Sequence, residues 1–496
     1  MLKLKSNLLI LFNILFLIIF ALIINISIFN SSIFRKLNPV VILLGIVCLI
    51  SLFILILLLF KNLNKTQFII LFIINLIFII LLQFFFVKYF RVKPSWDFGT
   101  IYSESIKISN GSTKLGPYFY EKYPNNSEMA IILGNIFKFI KPFNISPYCF
   151  AIFLNVCVIN LSLIITWFFS AKLFNIKVAY IISLLSILIT PLFTYAPIFY
   201  TDTLTMIFPV LSFLFYYLYK IQNKGYFKYF YLIFIGLLLA FGTSLKTNII
   251  ISFIALLIFI IFINNSFKNI LKELFMILLI FFICISLINT NISKWLKMPI
   301  ENAGIPATHW IMMGLKDKGG FNGDDVKLTL TKKTKDLQKD LNIKIIKQRL
   351  KNYGFNGYIK FLYKKLTYTW ADGTMFAPVK LSRYPIFKFD FQKYIFKSKD
   401  NINSQYTVPF LYVSQISFST MLIFIFLGSI SLFKRSNKFG YLFNICIFGV
   451  FSFLIIWETR SRYLVCILPI LLMSASIGFD FLINKFKLYN KNDSIL

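Results

Sequence analysis

With 496 residues, 58% of them hydrophobic, a mean hydropathy of +0.78 and a formal net charge of +34, this chain is too apolar for a soluble globular domain. Its charge does not read as a nucleic-acid footprint, because the cations fall in short segments between apolar runs, where they meet anionic lipid. Runs of about twenty apolar residues recur, which predicts an all-α polytopic membrane protein. The six cysteines (Cys48, Cys149, Cys157, Cys284, Cys446, Cys466) lack metal-type spacing and read as small buried hydrophobes. The abundance of Lys, Ile, Asn and Phe suits an AT-rich bacterial genome.

In chain order, the apolar runs predict about twelve helices, near 8–29, 40–60, 68–87, 148–170, 177–195, 203–220, 228–245, 248–264, 273–291, 409–433, 440–457 and 464–484. The first is too long for a signal peptide, lacks a small-residue cleavage site and reads as a retained span. Short-loop cations set the orientation. Lys3, Lys5, Lys61, Lys65, Lys172, Lys177, Lys220, Lys224, Lys268, Lys272, Lys434, Arg435 and Lys438 all fall on one side by parity, so both termini are expected in the cytoplasm. Segments 88–147 and 292–408 then face outward. The first should hold interfacial helices at 96–108 and 127–140, the second being too short to span. The second segment is a polar insert with helical stretches at 331–353 and 358–370. Four regions result: an N-terminal pair of helices (1–67), a seven-helix module (68–291), the external insert (292–408) and the C-terminal helices (409–496).

A polar stretch, Ser95-Trp96-Asp97-Phe98-Gly99-Thr100, follows the third run and a basic clasp of Lys88, Arg91 and Lys93. A carboxylate beside a membrane span is costly near hydrocarbon and is a functional candidate for that reason, although Asp97 also suits an N-cap of the helix beginning at Phe98. Further on comes Tyr123-Pro124-Asn125-Asn126, then another apolar segment. This pairing resembles the first external loop of the membrane glycosyltransferases that use polyprenyl-phosphate sugars. They form the GT-C superfamily, and the nearest group is family 39, with protein O-mannosyltransferases and lipid A aminoarabinose transferases. In that group a Pro-containing turn of His-Pro-Pro-Leu type stands where Tyr-Pro-Asn-Asn stands here. The likeness covers about residues 68–292 and, more weakly, 455–470, and the extra helices at 8–60 depart from the simplest family layout.

The resemblance gives later motifs their expected roles. Asp202, in Tyr200-Thr201-Asp202-Thr203, reads either as a second acidic group holding a metal (Mn or Mg) or a sugar hydroxyl, or as a helix N-cap. Lys246 ends a glycine-containing helix, where a lysine can bind a lipid phosphate or snorkel to the interface. Glu458-Thr459-Arg460-Ser461-Arg462-Tyr463 offers two arginines for a phosphate, or an ordinary loop ion pair. His309, the chain's one histidine, lies in the insert and suits substrate binding or a structural role. Trp370-Ala371-Asp372-Gly373-Thr374 reads first as a turn, with sugar stacking as the alternative. Glu104, Tyr123, Asn125, Asn126 and Tyr463 complete the expected substrate-binding set.

The expected reaction is therefore transfer of a sugar from a polyprenyl-phosphate donor to a cell-envelope acceptor (glycopolymer, lipid or protein) on the outer face. Asp97 would be the base, with Lys246, Arg460 and Arg462 on the donor phosphate, and direct displacement would invert the anomeric centre. The expected partners are that donor, membrane lipids and the acceptor, and no nucleic acid. A lipid-linked oligosaccharide flippase or polysaccharide transporter is the alternative, and a polymerase of lipid-linked repeat units a third. A transporter should line its helix interiors with charge, whereas here the polar motifs gather at one face.

Overall fold

The computed structural model describes residues 2–31, 34–222, 225–396, 405–434 and 438–485. Lys224 and Arg435, two of the cations used for orientation, lie outside the described residues. The chain folds as an all-α membrane protein. Among the described residues, nine helices are long and apolar enough to cross a bilayer: Lys3–Phe29, Pro39–Leu59, Lys65–Tyr89, Pro147–Leu173, Thr201–Ile221, Lys228–Leu245, Phe267–Leu296, Gln405–Leu432 and Ser461–Lys485. The other three expected spans are shorter apolar helices, Ile176–Leu188, Thr247–Ile263 and Gly440–Ile456. The expected run 177–195 is cut at Ile189, where the backbone leaves the helical region (ψ 89°) two residues before Pro191, which supplies no N–H to continue the helix, so the chain restarts as a single turn, Pro191–Thr194.

Apolar surface contributes little to helix association in lipid, so close approach and buried polar contacts fasten the bundle. A Cβ on Gly478 would sit 2.0 Å from the Phe424 carbonyl, so helices Val408–Leu432 and Leu468–Lys485 can pack backbone to backbone only with glycine there. Asn13 donates to the Ser429 carbonyl (2.8 Å), Asn75 to Ser183 Oγ (2.7 Å) and Gln83 to the Leu192 carbonyl (3.0 Å). The last of these satisfies the Leu192 carbonyl, just past Pro191.

At one end of the bundle, Lys220 Nζ reaches Glu273 (3.2 Å) and Asn264 (2.6 Å), while Tyr216 OH and Asn264 Nδ2 also donate to Glu273. At the other end lie the two large inserts. The first contains the helices Trp96–Ser109 and Ser127–Ile140, close to the expected interfacial pair. In the second, one element, Lys335–Trp370, replaces the two expected helical stretches, and its break at Gly354 (φ +57°) falls between them. The inserts are laced together there. The Lys93 amide donates to the Tyr384 carbonyl and the Ile386 amide to the Arg91 carbonyl (2.9 Å each), with Val92 and Pro385 forming an isolated antiparallel bridge.

Candidate active site

Six segments distant in sequence meet at this end of the bundle: 95–100, 118–126, 195–203, Lys246, 370–386 and 457–463. Asn155, buried in the helix Pro147–Leu173, organises the third of them. Its amide donates to the carbonyls of Tyr195 (2.9 Å) and Ala196 (3.0 Å), and Thr203 Oγ1 donates to its carbonyl oxygen. The turn so fixed delivers Tyr200 and Asp202.

Asp97 is half-buried in the first turn of its helix, and Ser95, the residue at the N-cap, makes no capping bond. Asp97 does not cap that helix. Its carboxylate instead accepts from side chains: Tyr118 OH donates to Oδ1 (2.7 Å) and Tyr200 OH to Oδ2 (3.4 Å). Asn126 Nδ2 donates to Tyr118 OH (2.7 Å), and Asn125 Nδ2 to Asn126 Oδ1 (3.3 Å). Burial first, then the Asp97 charge, pushes the Tyr118 phenol up, so it stays a proton donor to the carboxylate. Tyr123 stacks near Tyr118 (4.9 Å between centroids) and Trp310 (5.7 Å), with Trp457 beyond, and burial with the charges of Asp97 and Glu458 raises it to about 12. The acidic motif and the Tyr-Pro-Asn-Asn turn are thus one hydrogen-bonded unit beside an aromatic wall.

Asp202 is buried. Lys246 Nζ donates to its Oδ1 (2.5 Å), and an Arg462 nitrogen lies 4.0 Å from Oδ2. With cationic side chains against both oxygens, this carboxylate does not fit a divalent ion in the arrangement seen. Among the described residues no group of three or more His, Cys, Asp or Glu side chains converges. Arg462 also lies over the rings of Tyr200 and Tyr463, and Tyr463 OH donates to Glu458 (2.5 Å).

The Trp370–Thr374 motif is a turn, as its sequence predicts. Asp372 accepts from the backbone N–H groups of Thr374 (3.0 Å) and Phe376 (2.8 Å) and from the hydroxyls of Thr374 and Ser461. Gly373 is required, because a Cβ there would meet the Ser414 carbonyl at 2.2 Å. The turn leads into the short helix Ala377–Leu381, which brings Lys380 against Trp96.

Two expected site residues lie elsewhere. Glu104 is buried two turns along its helix, where it accepts from the Gly116 amide (2.9 Å) and Lys107 (3.1 Å) and pins the following loop. His309 is fully buried inside the insert. Its Nδ1 meets Thr329 Oγ1 (2.7 Å), Thr329 bonds Asn342, and burial lowers its pKa to about 4. Sequence reasoning did not single out Tyr118, Asn155, Trp96, Lys380 or Arg383 as site residues. The first two carried a signal, a tyrosine within the loop that holds Asp97 and an asparagine inside an apolar span.

Together the fold and this end-on cluster define an all-α polytopic membrane protein with a polar site at one end of its bundle. Over residues 2–481 the sequence matches the family described as "Conserved hypothetical integral membrane protein", and the chain belongs to that family. Among solved structures, the Archaeoglobus fulgidus oligosaccharyltransferase in its apo form aligns with a TM-score of 0.51 at 12% identity, covering 86% of this chain and 52% of that one. This protein therefore matches about half the length of that enzyme. The A. fulgidus oligosaccharyltransferase AglB, in complex with an inhibitory peptide and a dolichol-phosphate, aligns at TM-score 0.46 and 13% identity (86% and 51% covered). ArnT from Cupriavidus metallidurans in the apo state aligns at 0.35 and 11% (84% and 78% covered). No curated protein matches the sequence.

Proposed function

We propose that this protein is a membrane glycosyltransferase that moves a sugar from a polyprenyl-phosphate donor to a cell-envelope acceptor. The observation that carries this reading is an asymmetry among the site's carboxylates. Asp202, Asp372 and Glu458 are buried and engaged by cations, by their own turn or by Tyr463, whereas Asp97 is partly open and held as an acceptor by two tyrosines, in a site rich in Lys and Arg. Asp97 takes the acceptor hydroxyl proton as that oxygen attacks the anomeric carbon, and the sugar–phosphate bond breaks. Arg460 and Arg462, with Lys246 behind them on Asp202, meet the charge that develops on the leaving phosphate. A single displacement inverts the anomeric centre and needs no carboxylate nucleophile. Short-loop cations favour the outer face of the cell membrane for this chemistry and cytoplasmic termini. The fold shared with an oligosaccharyltransferase supports glycosyl transfer.

The test is transfer from radiolabelled polyprenyl-phosphate sugars by the purified, reconstituted chain. Wild type should release the labelled sugar from the lipid, and Asp97→Asn, matched in yield and folding, should not. Equal release by both removes this reading.

A further inference from the structure

The site carries more positive charge than its carboxylates balance. Asp202 is taken by Lys246 and Arg462, Asp372 by its own turn and Ser461, Glu458 by Tyr463, and Asp97 by two tyrosines, so four carboxylates face Lys246, Lys380, Arg383, Arg460 and Arg462. Lys380, Arg383 and Arg460 have no carboxylate within ion-pair distance among the described residues. Lys380 is only 3% exposed, yet its ammonium rests on the Trp96 ring, 3.9 Å from the centroid. The Arg383 guanidinium lies 5.5 Å from the same ring. Arg460 lies 4.6 Å over Phe376, and its Nε is buried without a hydrogen-bond partner, as is that of Arg462. A cation–π contact offsets only part of the cost of burying an ammonium. Burial and then the charges of Arg462, Arg383 and Arg460 push the Lys380 amine well below its ordinary range. An anion among these groups would reverse that balance.

Backbone geometry points to the same place. Met375 (φ +47°) and Phe376 (φ +68°) precede the helix carrying Lys380, Tyr384 (φ +51°) follows it, and Trp96 opposite has φ +49°. None is glycine, so each is strained, and the surroundings hold them there: Tyr195 OH donates to the Met375 carbonyl (2.6 Å) and Asp372 fixes the turn. Strain gathered on both sides of one pair of cations marks a built site.

We propose that Lys380 and Arg383, over Trp96 and beside Arg460, seat the phosphate of the lipid donor. This rests on the glycosyltransferase reading and assigns residues to its leaving group. The donor phosphate is a diester with a single charge. Breaking the sugar bond leaves a monoester of about −1.5 to −2 charge. Three cations not paired with carboxylates suit the second state better than the first, so this seat strengthens as the bond breaks.

The test is equilibrium binding of farnesyl phosphate to the detergent-purified full chain, with thermal unfolding alongside. Farnesyl phosphate has no sugar, so the result does not depend on transfer. Lys380→Gln should raise its Kd at least tenfold while leaving the ligand-free melting temperature unchanged or higher, because one of several mutually repelling cations is gone. Arg383→Gln, on a less buried side chain, should also raise Kd and carries the test if the first variant does not fold. Kd values within twofold of wild type for the folded variants overturn the proposal, even if transfer is found. Inorganic phosphate distinguishes the source of the anion. Weak protection only at millimolar concentration supports a lipid phosphate, whereas protection equal to that by farnesyl phosphate overturns the lipid assignment.

Discussion

Both ends of this helical bundle bury charge, and they do so differently. At the Glu273 end, one carboxylate accepts from Lys220, Tyr216 and Asn264, and Lys220 also reaches the Asn264 side chain, so donors and acceptors close on themselves. At the Asp97 end, cations outnumber carboxylates, guanidinium nitrogens lack partners and the backbone is strained at Trp96 and at Met375–Phe376. A closed buried network rigidifies a fold. An unbalanced one awaits a ligand of opposite charge. Buried polar residues in a membrane protein therefore do not by themselves mark a site, but an imbalance of their charges does.

The largest effect that would sharpen this contrast is at Asp97. Asp97→Asn keeps shape and loses the proton acceptor, so transfer should fall about a hundredfold or more with donor binding retained, as read by single-turnover kinetics. Transfer within threefold of wild type would reduce Asp97 to a tyrosine anchor.

Next comes the Asp202–Lys246 pair. Lys246→Ala leaves a buried carboxylate with Arg462 alone within ion-pair distance among the described residues, at 4.0 Å, so the melting temperature should drop by several degrees as well as the affinity for donor. Adding Asp202→Asn should restore most of the stability and little of the affinity. A double variant no more stable than the single one would show that the pair is not coupled. At the closed end, Glu273→Gln should lower the melting temperature and leave kcat/KM unchanged. A fall in kcat/KM there would erase the distinction between the two ends.

Chelation should have a smaller effect. Because Lys246 and Arg462 stand against the Asp202 oxygens, transfer should stay within twofold of its starting rate after EDTA treatment and dialysis. Loss of transfer restored by added Mn²⁺ would mean that the pair opens to admit an ion.

The smallest expected effect concerns Glu128, outside both networks. Its side chain is buried, one oxygen lacks a partner, and burial raises its pKa to about 7. Between its unfolded value near 4.5 and 7, the folded chain holds the proton more tightly than the unfolded chain. Stability from this group is thus present below about pH 4.5 and lost as pH rises toward 7. Glu128→Gln should match wild type near pH 5 and melt about 2 °C higher near pH 8. A constant difference across that range would remove burial as the cause.

The sequence by itself determined the membrane class, because twenty-residue apolar runs have few other fates. It also determined the helix Ser127–Ile140, and it singled out Asp97, Tyr123-Pro124-Asn125-Asn126, Asp202, Lys246 and the Arg460–Tyr463 stretch, each a polar exception in an apolar chain that the fold brings to one end. It could not determine which of these charges meet. Lys246 reads in sequence as a lysine without an acidic neighbour, yet Asp202, 44 positions away, takes its ammonium. His309 reads in sequence as suiting either substrate binding or a structural role, and only the insert folding around it decides for the second. Lys380 and Arg383 are two cations among 52, and nothing in their neighbours separates them from a solvated face. Only the tertiary structure brings them to Trp96, some 280 residues earlier, because pairing between segments 91–93 and 384–386 depends on backbone groups that every residue carries.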